Sequence, residues 1–294
     1  MVLKYIAMKR TILSAFILLV IPACNRLASI PYLPEQTPET WLSIQPFSII
    51  KLGTLEFILV QPSSTFFVYL LGLTAIYLGF YFFRIRDKQK SRYWWGTAML
   101  LWGIGAILAG TSYQAFSYEI KCAGNEICSW TSWWEVIYLI LSVGSVDALV
   151  MAEAYTCCVG KWRKALIVYA CVNFGLYAIA ILIGVLLLDR FLLSFELLLV
   201  ATAPSILMFL VLNTWRYFKF RTRQDLVLLF TWLWLGITFG GYFLYLILGV
   251  GESLWEKGIW FSANDVLHLG LITWMLYIAY FVANQVTDSH MQGT

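Results

Sequence analysis

A small set of polar residues in an otherwise apolar chain has the types and spacing needed for chemistry. Ser262-Ala-Asn-Asp-Val-Leu-His268 opens the last long apolar run and holds one of the two histidines in the sequence. On a helix, Asn264 and His268 lie four apart on one face, and Asp265 lies three before His268. Ser112 and Gln114 sit late in an earlier apolar run, and Glu135 sits early in the next. Asp147 lies at the middle of that same run, with Glu153 further along and Glu196 at the start of a later one. Carboxylates beside a histidine suit general acid–base work or metal ligation, and Ser or Gln side chains suit oxyanion stabilisation. Each has a plainer role. Ser262 and Asp265 have capping-box spacing, Ser112 can bond back to its own helix, and Glu135 and Glu196 can sit among lipid headgroups.

The elements that must carry these residues are membrane spans. The 294 residues are 61% hydrophobic and 12% charged, against about 25% charged in a soluble domain. Seven runs near 63–83, 94–117, 132–156, 164–187, 193–214, 226–249 and 262–283 are each long enough to cross a bilayer. Backbone groups in lipid must satisfy themselves, so the spans are helices and the fold is all-α, a polytopic seven-transmembrane-helix bundle.

Loop charge sets the orientation. Arg84, Arg86, Lys88, Lys90 and Arg92, then Lys161, Arg163 and Lys164, then Arg216, Lys219, Arg221 and Arg223 follow the odd-numbered spans. The alternate loops hold one basic residue each, Lys121, Arg190 and Lys257. The positive-inside rule puts the N-terminus outside and the C-terminus inside. The net charge of +4 therefore sets topology and is no nucleic-acid signal. A plasma or inner membrane location follows, with membrane lipid as the surrounding partner.

Four regions result. Residues 1–24 are signal-like: Lys9-Arg10 precede an apolar run that ends at Ile21-Pro-Ala-Cys24. Residues 25–62 carry Pro31, Pro34, Pro38 and Pro46 and read as an extracytoplasmic segment with a short surface helix around Trp41. Residues 63–283 are the transmembrane domain, and 284–294 a cytoplasmic tail. Cys122 and Cys128 fall in an outside loop, where a disulfide is expected.

On this topology Ser112, Gln114, Glu135, Glu196, Asn264, Asp265 and His268 fall at one depth in the outer half. Asp147, deeper, needs a polar partner such as Asn173 or Thr202, because a charge facing lipid is costly.

The plan resembles the alkaline ceramidases and their wider superfamily, which includes the progestin and adipoQ receptors and haemolysin-III-like proteins. The resemblance rests on seven spans, Gly110-Thr-Ser112 late in the second, Glu135 early in the third, and Asn264 with His268 in the seventh. It implies a divalent metal ion as cofactor, zinc in the family, with His268 and Glu135 as ligands. The implied catalytic residues are Ser112, Glu135 and Asp265, acting on a lipid amide or ester. Two departures oppose it. Phe116 stands where the second span should carry a histidine, and Asn264 replaces the first histidine of the last span's pair. A catalytic zinc normally takes three protein ligands.

Two function classes stay open. One is a membrane hydrolase using Glu135, Asp265 and Ser112. The other is a non-catalytic lipid or small-molecule sensor or receptor, in which Gln114, Asn264 and Asp147 belong to the ligand-binding layer.

Overall fold

The computed structural model describes residues 26–289. The signal-like segment 1–24 and the end of the tail, His290 included, lie outside the described residues. Seven helices are long and apolar enough to cross a membrane: α2 Pro62–Arg84, α3 Lys90–Ala109 with its continuation to Ala115, α5 Trp133–Cys157, α6 Gly160–Leu187, α7 Phe195–Phe220, α8 Arg223–Ile247, and α10 Ala263–Tyr277 with its continuation to Gln285. The chain is a multi-pass membrane protein. Its spans match the apolar runs to within a few residues, apart from earlier starts for the second and fourth and a later end for the fifth.

Short elements join the spans. Helix α1, Pro38–Ser43, forms around Trp41, with Thr37 and Thr40 making a reciprocal cap. Strands β1 Phe47–Leu52 and β2 Leu55–Val60 pair antiparallel into a hairpin, which leads directly into α2. Helix α4, Ser117–Lys121, follows α3 after Phe116, and α9, Val250–Trp255, precedes α10. A disulfide joins Cys122 and Cys128. The hairpin is the element that span reading does not reveal.

Close packing fixes the helices that carry the polar residues. α3 packs most extensively on α2 and α5. A Cβ added at Gly103 would lie 2.6 Å from the Gly72 carbonyl oxygen, so the α2–α3 crossing depends on bare backbone there. The core of the other half is aromatic. Phe82, Trp95, Trp232 and Phe209 stack in sequence, with Phe209 and Trp232 centroids 4.1 Å apart. Deep in this half, Glu153 accepts hydrogen bonds from Trp232 Nε1 at 3.1 Å and Asn213 Nδ2 at 3.3 Å. Those bonds tie α5 to α7 and α8 and satisfy a fully buried carboxylate.

Candidate functional site

The end of α3 is where sequence, backbone and chemistry meet. Residues Gly110–Ala115 widen into a π-helical turn, with Phe116 N donating to Thr111 O at 2.9 Å. Such turns re-aim the side chains that follow and frequently occur at functional sites. Glycine is required at position 110 because a Cβ there would lie 2.3 Å from Val68 Cγ1. The turn aims Ser112 and Gln114 inward, and both are buried.

Ser112 Oγ donates to Glu135 Oε1 at 2.7 Å and lies 2.7 Å from Ser132 Oγ. Ser132 is the N-cap residue of α5 but makes no side-chain cap bond, since its hydroxyl faces Ser112 instead. The partner of Glu135 is Lys121, at the end of α4: the two side chains form an ion pair, each almost completely buried. Lys121 Nζ also lies 4.8 Å from the Tyr113 ring centroid and 5.8 Å from that of Trp41. Aromatic faces and a carboxylate thus replace the water around the ammonium group.

A roof closes over this pair from residues 27–46. Cys128 N donates to Gln36 O, Tyr32 N to Cys128 O, and Trp130 N to Ile30 O. The disulfide loop is therefore stitched to the N-terminal segment. Tyr32 packs edge-on to Trp41 at 5.3 Å. Burial, and after it the charge of Glu135, push the Tyr32 hydroxyl above its ordinary pKa, so it stays a neutral hydrogen-bond donor across the physiological range.

Beneath the roof lies a cavity of about 470 Å³, with Gln114, Lys121, Glu135, Glu196, Asn264 and His268 on its wall. A second cavity of about 490 Å³ continues toward the middle of the helices. Its wall is mainly Leu, Ile, Phe and Trp side chains, with Ser142, Ser145 and Thr202 as scattered hydroxyls. The two share Val68, Ala109, Tyr138, Phe195, Leu267 and His268. Leu207 and Phe243, on α7 and α8, line the second cavity and are also exposed.

His268 sits at the junction, 9% exposed, and its Nδ1 has no partner among the described residues. Gln114 Oε1, on the wall of the polar cavity, is likewise buried without a partner. Unpaired buried polar atoms cost about 1–3 kcal/mol each, and a ligand or water that bonds to them removes that cost.

The remaining sequence candidates are placed as follows. Ser112 touches Glu135 rather than the cavity. Asp265 completes the capping box of α10, with Oδ2 accepting from Ser262 N at 2.6 Å and from Ser262 Oγ at 3.0 Å, and it is not on the cavity wall. Asp147 is buried, accepts from Asn173 Nδ2 at 3.0 and 3.2 Å, and lies on neither cavity wall. Among the described residues, no group of three or more His, Cys, Asp or Glu is placed to hold a metal ion. The Glu135 carboxylate is already engaged by an ammonium and a serine, and Asp265, the acidic residue beside His268, has its Oδ2 taken up by Ser262. The described residues do not fit a divalent metal.

Sequence reading missed Lys121, counting it only as a loop charge. The available signal was spacing: Lys121 follows Gln114 by seven residues, two helical turns on the same face. It also missed Tyr32, Gln36 and Trp41, whose role depends on how the roof folds back.

Residues 63–287 match a family of unknown function, DUF6962. The chain belongs to that family. The match covers all seven long helices and begins just after the hairpin, so the β strands and the roof lie before it. Neither the curated proteins nor the solved structures yield a match.

Proposed function

We propose that this protein binds an amphiphilic ligand, a lipid or lipid-like small molecule, without hydrolysing it, as a membrane sensor or receptor does. The observation that carries this reading is the meeting of a polar and an apolar cavity at His268. A polar head fits under the roof, where Gln114 Oε1 and His268 Nδ1 await partners. A hydrocarbon tail fits the second cavity and reaches it from the bilayer between α7 and α8. Apolar lining with a few placed polar groups is the ordinary composition of a small-molecule site.

The loop charges support an orientation with the roof outside and the basic loops inside, in a plasma or inner membrane. The disulfide agrees with it, since such bonds persist in oxidising compartments. A signal-like residues 1–24 segment would deliver the N-terminus to that side.

Kinship with the alkaline ceramidase group is a proposal about ancestry, supported by Ser112 beside Glu135 and by His268 on the last span. It is not our proposal for the activity. A hydrolase needs an activated water, and Glu135 as base would first have to leave Lys121.

The test is photo-crosslinking in nanodiscs with alkyl-diazirine amphiphiles: a fatty acid, a monoacylglycerol and an N-acyl amide. Adducts are expected on residues of the apolar cavity such as Leu235 and Leu271, with the lipid recovered intact. Labelling confined to outward-facing residues such as Ile237 would refute binding, and released acyl chains would refute the non-hydrolytic reading.

A further inference from the structure

The β hairpin is a surface that neither cavity explains. Nine of its twelve strand residues are apolar. A hairpin covered on one face and wet on the other alternates apolar with polar residues. This one does not alternate. The register puts Ile50, Leu52, Leu55, Phe57 and Leu59 on one face, and Phe47, Ile49, Ile58 and Val60 on the other. Phe47, Ile49, Leu52 and Leu55 are exposed, the last two by 63% and 69%.

Among the described residues, protein covers the side of β2. Phe57 packs on Phe116 with ring centroids 5.4 Å apart, and Ile58 N donates to Glu119 Oε1 at 3.1 Å. The tip and the free strand β1 stay open. The charged residues at the tip neutralise each other: Lys51 Nζ lies 3.3 Å from Glu56 Oε2, on a pair that is itself mostly exposed.

Position in the chain identifies the occupant. A single residue, Gln61, separates β2 from α2, the first membrane helix. Its φ of 47° bends the chain sharply at that join. Phe66 and Leu73, seven residues apart on one face of α2, are about 60% exposed. A strand of six residues reaches about 20 Å, so the hairpin cannot stray far from the bilayer surface.

We propose that the hairpin is a membrane-surface element whose tip, Leu52 and Leu55, inserts among the headgroups and first methylenes of the adjoining leaflet. The Lys51–Glu56 pair stays at headgroup level, where long charged side chains reach water. This proposal is independent of the cavities and of what they bind.

The test is the full chain in phosphatidylcholine nanodiscs carrying a single nitroxide at Leu52→Cys, with Cys24, Cys157, Cys158 and Cys171 replaced by alanine. The expected result is relaxation enhancement favouring dissolved oxygen over a water-soluble nickel chelate, as for a label placed at Phe66. A second protein labelled at Leu55→Cys should give the same preference. Preference for the nickel chelate at both positions overturns the proposal. So does dipolar broadening between labels, which would show β1 pairing with a second copy, and so does exclusion of both reagents, which would show cover by protein.

Discussion

Lys121 and Glu135 form a buried ion pair that joins the short helix after the second span to the start of the third. Ser112 bonds to the same carboxylate oxygen, so three elements meet at one group. Removing one member of a buried pair typically costs about 3–5 kcal/mol, because the other is left charged and unpaired. Lys121→Met should therefore lower the melting temperature in detergent strongly. The double variant Lys121→Met with Glu135→Leu should recover a large part of that loss. A double variant as unstable as the single one would mean that the pair matters for something other than mutual neutralisation.

Much of the fold was legible because the spans are written in composition. Twenty-residue apolar runs have few alternatives in lipid. Offsets from span ends, at about 1.5 Å of rise per residue, put Ser112, Gln114, Glu135, Glu196, Asn264, Asp265 and His268 at one level, and of these Ser112 and Asp265 are not on the cavity wall. The wall holds the other five. Lys121 was not legible, because its partner comes from a different helix and its burial depends on the roof. The hairpin was not legible either: Phe47-Ser-Ile-Ile and Leu55-Glu-Phe-Ile-Leu-Val fall in the 25–62 stretch read as an extracytoplasmic segment with a short helix, and neither alternates cleanly between apolar and polar residues.

Asp147 should depend on Asn173. Asn173→Leu removes both hydrogen bonds to the carboxylate and should cost about 1–3 kcal/mol by thermal unfolding. Asp147→Asn with Asn173 intact should be far milder. A larger loss from Asp147→Asn than from Asn173→Leu would contradict the pairing.

The disulfide should hold the roof. Cys122→Ser with Cys128→Ser should destabilise the protein by about 2–4 kcal/mol. It should also speed hydrogen exchange in residues 30–46, whose backbone bonds run to the 128–130 segment. Unchanged exchange there would show that the roof is held independently of the bridge.

Ala109 lies where the two cavities meet. Ala109→Phe should close the passage between head and tail chambers and leave the ion pair in place. Its melting temperature should stay near that of the unmodified protein, while amphiphile crosslinking in the apolar cavity falls at least tenfold. Undiminished crosslinking would mean that the two cavities do not act as one site.

The most direct test of the account is native mass spectrometry of the protein released from mild detergent, with Ala109→Phe alongside. The account requires a retained amphiphile at one copy per chain in the unmodified protein, intact on extraction, and its loss in Ala109→Phe. Bare protein in both spectra, or the same bound lipid in both, would contradict the claim that the joined cavities form an amphiphile site.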